Sequence, residues 1–138
     1  AASLSGNRLA ENLGRDRVVA IAMLSGAALS LVAGFGFGAS PWVVLLFVFL
    51  WNAAIYLDSS ALTAGTVQAA DPALRGATMG LHSMLGYAGG FVGPLLAGVV
   101  LDWAGGDGVQ AWGLAFGHVA FIMLAGFAVL RWLGRSTG

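Results

Sequence analysis

The sequence predicts an all-α polytopic membrane protein with four transmembrane helices. Three observations carry that expectation. Apolar residues make up 59% of the 138 residues and charged residues 9%, where soluble domains carry roughly a quarter charged residues. Four apolar runs each reach about the ~20 residues that cross ~30 Å of hydrocarbon. Every basic residue falls on segments that four spans would place on one side of a bilayer.

Residues 1–17 read as the end of a preceding helix and a polar loop. Ala1 to Gly6 is small and too short to span. It lacks an initiating Met and a charged n-region, so it is not a signal peptide. It resembles the tail of a helix whose beginning is missing, which predicts a fragment of a longer protein. Asn7 to Arg17, NRLAENLGRDR, holds Arg8, Glu11, Arg15, Asp16 and Arg17, with Gly14 as a turn. Residues 18–38 form the first span. Ala39-Ser40-Pro41 is a turn, and Pro41 suits the first turn of the next helix. Residues 42–66 form the second span, opened by an interfacial Trp42. Residues 67–75 are a polar connection in which Asp71 and Pro72 read as an N-cap and N1 pair. Residues 76–101 form the third span, 102–111 a flexible glycine-rich loop, 112–133 the fourth span, and 134–138 a polar tail.

The third span is the most glycine-rich. Gly76, Gly80, Gly86, Gly89, Gly90, Gly93 and Gly98 lie within or beside it. Each Gly costs a helix in water about 1 kcal/mol relative to Ala. In lipid no water competes for the backbone, and small residues let a neighbouring helix approach closely. At about 100° per residue, His82, Gly86, Gly89, Gly93 and Ala97 share one face. Pro94 removes a backbone donor mid-span and predicts a kink. The expectation is a bent helix packed closely through Gly86, Gly89, Gly93 and Pro94. Gly34 to Gly38 and Gly113 to Gly117 repeat the same small-residue spacing and also read as packing.

With four spans, residues 1–17, residues 67–75 and the C-terminus share one side. They and the span ends beside them carry all the arginines: Arg8, Arg15, Arg17, Arg75, Arg131 and Arg135. The opposite loops carry only Asp102 and Asp107. The positive-inside rule puts the arginine side, with the C-terminus, in the cytoplasm of a bacterial inner membrane. Lipid is then a partner. The zero net charge and the lack of a basic block argue against nucleic acid. No Cys is present, which removes disulfides and thiolate metal sites. The chain shows no nucleophile with a positioned base and no phosphate loop, so no enzyme and no cofactor is expected. Two His and one intramembrane Asp on three helices lack the ligands of a zinc site.

Polar residues inside the spans are the candidates for function. Asn52, Tyr56, Ser59, Thr63 and Thr66 follow i, i+4, i+7, i+11, i+14 and form a stripe on one helical face. Such a stripe must face water or a partner helix. It either lines a substrate path or serves interhelical packing, with Ser and Thr bonded back to their own helix. Asp58 is the one acidic residue well inside a span. An ionised carboxylate there needs a partner or a proton, so it reads as a proton carrier or as a buried hydrogen-bonded residue. His82 and His118 are either proton relays or packing histidines.

The polar segments also resemble a known family. Leu9 to Arg17, LAENLGRDR, resembles the loop that joins helices two and three, and again eight and nine, of the major facilitator superfamily. It matches at Leu9, Ala10, Gly14 and Arg15 and departs at Asn7, Glu11, Asn12 and Asp16. AADPALRGATMGLHS resembles the family's connection into the eleventh helix. Gly93-Pro94 followed by Ala97-Gly98 resembles its Gly-Pro-x-x-Gly-Gly element. The resemblance implies helices nine to twelve of a twelve-helix secondary transporter that moves a small solute or drug by alternating access, coupled to protons. It implies that the missing N-terminal helices are partners and that the second span lines the cavity. It also implies a gating role for Arg15, with Glu11 beside it, and offers Asp58 as a latch to Arg15. The alternative is a self-contained four-helix scaffold or assembly subunit without transport activity.

Overall fold

A computed structural model of the chain describes residues 10, 12–36, 40–106 and 108–136, with the side chains of residues 57, 58, 135 and 136 outside that description. Among the described residues four long helices follow in order: α1 (Arg15–Phe35), α2 (Pro41–Ala69), α3 (Arg75–Trp103) and α4 (Val109–Ser136). All four contain a stretch long and apolar enough to cross a membrane. No strand occurs among the described residues.

Helices α2, α3 and α4 outrun their apolar runs at both ends, whereas α1 does so at its start and ends at Phe35, inside the run expected over 18–38. Arg15, Asp16 and Arg17 form the first turn of α1 rather than a loop. Helix α2 runs to Ala69, so Gln68 lies in its last turn and not in the connection. Asp102 is helical, and α4 begins at Val109. Hydropathy marks the part of a helix that suits hydrocarbon. Backbone hydrogen bonding continues beyond it, because the polar ends still have donors and acceptors to satisfy.

The turns follow from their residues. Pro41 stands at N1 of α2, and the Ser40 carbonyl accepts from Val43 and Val44 at 2.9 and 3.2 Å. Asp71 caps, but one turn early: its Oδ1 accepts from the Ala73 N–H at 2.8 Å, and α3 begins only at Arg75. The loop expected over 102–111 contracts to a tight turn. The Gly106 N–H donates to the Leu101 carbonyl at 3.0 Å and the Gly105 N–H to that of Asp102 at 3.3 Å. This is a Schellman closure, and it requires the left-handed φ of +89° at Gly105.

Packing centres on α1, which lies between α2 and α4; α3 touches α4 and, sparsely, α2. The antiparallel α1–α4 seam is built from small residues. A Cβ on Gly34 would lie 2.7 Å from Phe116 Cβ, 2.9 Å from the Trp112 carbonyl oxygen and 3.2 Å from Gly113 Cα. Met123 covers Gly26, Phe35 covers Gly113, and Met23 covers Gly126. At its centre the fully buried Ser30 donates to the Phe116 carbonyl at 2.7 Å. The buried apolar residues are Ala and Val, while most of the described Leu, Phe and Trp side chains are exposed. Such a surface suits hydrocarbon rather than water, where lipid tails solvate large apolar side chains and close backbone approach holds helices together.

The glycine-rich third span departs from its expectation. No residue of α3 is buried, and a Cβ on Gly86, Gly89, Gly90 or Gly93 would meet nothing within 4 Å. Among the described residues the close glycine contacts belong to the α1–α4 seam and to Gly65 of α2. A small residue permits close approach, but a helix with the complementary shape has to be there to use it. Pro94 lies inside a helix that continues through it.

Candidate functional site

The polar side chains gather where α1 begins and α2 ends. From the first turn of α1, Arg15 reaches across to α2. Its aliphatic stem lies over Gly65, where a Cβ would stand 2.8 Å from Arg15 Cδ. Gly65 is therefore the residue that makes room for the arginine. Arg15 Nη1 donates to Gln68 Oε1 at 2.9 Å. Arg15 Nε is shielded from solvent and has no hydrogen-bond partner among the described residues. Arg15, Asp16, Leu62, Gly65, Thr66 and Leu130 border a cleft of about 300 Å³.

Thr66 links this cleft to a second contact. The Thr63 hydroxyl donates to the Ser59 carbonyl at 2.8 Å and the Thr66 hydroxyl to that of Leu62 at 2.9 Å. The two oxygens keep lone pairs for an incoming donor. His82 of α3 lies against both, with Nε2 3.2 Å from Thr63 Oγ1 and Nδ1 3.4 Å from Thr66 Oγ1. A neutral imidazole carries one N–H and serves one threonine at a time; an imidazolium serves both. His82 thus leaves the glycine face as a bystander and becomes the polar tie between α2 and α3.

The rest of the stripe divides. Thr63 and Thr66 are half-buried under His82, whereas Asn52, Tyr56 and Ser59 are exposed on α2. Among the described residues no other helix covers those three. His118 is bonded through Nδ1 to the Ala115 carbonyl of its own helix. Among the described residues no three His, Cys, Asp or Glu gather to hold a metal ion.

The chain matches no family model, no curated protein and no solved structure. The site therefore rests on its own geometry. Glu11 and the side chain of Asp58 lie outside the described residues. The Asp58 backbone precedes Gln68 by ten residues on α2, roughly 15 Å at 1.5 Å per residue. Gln68 and Gly65 are the neighbours of Arg15 that sequence reasoning missed. The signal for Gly65 was available: it is the only glycine of α2, and it sits among the stripe threonines.

Proposed function

We propose that this chain is part of a secondary transporter that moves a small solute or drug by alternating access, coupled to protons. The observation that supports the reading best is the exposed row Asn52, Tyr56 and Ser59 on a helix otherwise suited to lipid. Uncovered polar groups at membrane depth call for a water-filled path. The row runs on into Thr63, Thr66 and His82, and from there to Arg15 and Gln68 at the end of the bundle. Substrate follows the row, and the His82 and Arg15 contacts hold the arginine end shut. In this reading the chain corresponds to helices nine to twelve of a major facilitator transporter, with that end in the cytoplasm of a bacterial inner membrane.

The absence of Cys makes the path directly testable. Asn52→Cys and Ser59→Cys should react with a membrane-impermeant thiol reagent faster than Leu46→Cys on the apolar surface. Equal, slow labelling at all three positions removes the path. In the whole transporter, Arg15→Ala and Asp58→Asn should impair transport or its coupling; normal rates and coupling in both remove the roles given to those residues.

The uncovered α3 favours a second reading, a membrane scaffold whose glycine face receives another helix. A scaffold needs no water along α2, so the same labelling separates the two.

A further inference from the structure

His82 faces two hydroxyls whose protons are already committed. The Thr63 hydroxyl donates to the Ser59 carbonyl at 2.8 Å and the Thr66 hydroxyl to the Leu62 carbonyl at 2.9 Å. Each threonine oxygen therefore turns lone pairs toward the ring. Nε2 lies 3.2 Å from Thr63 Oγ1, and Nδ1 lies 3.4 Å from Thr66 Oγ1. Two acceptors on α2 thus meet both ring nitrogens of one histidine on α3. A neutral imidazole has a single N–H. Its other nitrogen sets a lone pair against an oxygen lone pair, unless that threonine turns its proton to the ring and gives up the bond to its own helix. An imidazolium satisfies both oxygens and keeps both back-bonds.

The contact lies where a proton can reach it. His82, Thr63 and Thr66 are half-buried, and Ser59, one turn away on α2, is exposed. Helices α2 and α3 otherwise touch sparsely, so one hydrogen bond more or less weighs heavily there. The charged and titratable groups on the surrounding elements are Arg15, Asp16 and Arg17 of α1, Tyr56 and Asp58 of α2, Asp71 ahead of α3 and Arg75 in its first turn, and His118 and Arg131 of α4. Arg15 and Asp16 border the cleft that Thr66 also lines. Among the described residues none of these groups pairs with the imidazole, whose partners are the two threonine oxygens. We propose that His82 is a proton-operated clasp: a proton taken from water onto its free ring nitrogen ties α3 to α2, and its loss loosens them. No bond breaks in the step, and the added N–H takes the second threonine oxygen as its acceptor. The clasp does not depend on the chain being part of a transporter.

The test is the spacing of α2 and α3 as a function of pH, in the protein reconstituted in lipid nanodiscs. No Cys is present, so Leu46→Cys and Leu95→Cys place one spin label on each helix, at exposed positions away from the clasp. Dipolar electron–electron spectroscopy gives the distance distribution from pH 5 to pH 8, the range across which imidazoles ordinarily titrate. The close population should dominate at the acid end. Its ratio to the open population should fall about threefold toward pH 8, the worth of one hydrogen bond between membrane helices. His82→Gln does not titrate and should give the same distribution at every pH. Thr66→Val keeps the branched shape, removes the second acceptor and should flatten the response while leaving the Thr63 contact. A distribution that is the same at every pH in the unaltered sequence overturns the proposal, as does one that widens toward acid. A response that survives His82→Gln assigns the proton to another group, Asp58 among them, and overturns it too. So does a response that survives Thr66→Val.

Discussion

Two glycine faces in this molecule behave in opposite ways. On the α1–α4 seam, Gly26, Gly34, Gly113 and Gly126 each lie under a side chain or backbone of the facing helix. On α3, Gly86, Gly89, Gly90 and Gly93 face open space. Glycine content alone would rank α3 as the better-packed helix. The seam differs in what stands opposite. Met23, Met123, Phe35 and Phe116 fill the space each glycine leaves, and Ser30 adds a hydrogen bond across the middle. In lipid, where large side chains gain little by leaving the surface, such shape matching between helices decides association. The α3 face has the room but no matching partner within this chain.

Enlarging Gly34 should give the largest effect. Its missing Cβ would press on Phe116 Cβ and on backbone atoms of Trp112 and Gly113, none of which is the free end of a flexible chain. Gly34→Leu should therefore cost about 3 kcal/mol, the upper part of the range for overpacking. Denaturant-driven unfolding in bicelles, followed by circular dichroism, measures it. A cost below about 1 kcal/mol would mean that the seam gives way easily, and the contrast with α3 would lose its basis. Ser30→Ala tests the same seam from its centre. It removes the donor to the Phe116 carbonyl without adding volume and should cost about 1 kcal/mol.

His82 holds α3 by a different means. Its contacts with Thr63 and Thr66 are the polar link between two helices that otherwise touch little. His82→Ala should cost roughly 0.6 kcal/mol, the usual worth of a hydrogen bond between membrane helices. It should also broaden the distance distribution between spin labels on the adjoining ends of α2 and α3. An unchanged distribution would show that the loop and α4 position α3 without the histidine.

The legible and illegible parts of the sequence separate along physical lines. The four spans were legible because hydrocarbon demands a long apolar run. The shared end of the arginines was legible because Arg15, Arg17, Arg75 and Arg131 sit on helix ends that short connections force together. The i, i+4, i+7 spacing put Thr63 and Thr66 on one face, and both indeed bond back to their own helix. Partner choice was not legible. Nothing in one sequence says that Gly65 gives way to Arg15, that Gln68 is the acceptor, or that His82 meets two threonines on α2. Those are pairings between helices, and helical periodicity describes only one helix at a time. Helix ends were blurred for a related reason, since hydropathy changes before hydrogen bonding stops.

The smallest expected effect is the one that sharpens the comparison most. Gly86→Ala and Gly89→Ala each add a methyl group to open space on α3. In the four-helix chain they should change stability by no more than about 0.5 kcal/mol, as substitutions without neighbours do. Any shift should favour the variant, because Ala is the better helix former. If the chain belongs to a longer protein, as proposed, the same substitutions in that intact protein ask whether another helix covers that face. If one does, the added methyl groups meet its backbone and the cost rises to the 1–3 kcal/mol of an overpacked contact. A cost only in the intact protein identifies α3 as a docking face for a further helix. A cost already present in the four-helix chain means that α3 packs more tightly on α2 and α4 than its open glycines indicate. No cost in either means that neither this chain nor a further helix presses on Gly86 and Gly89.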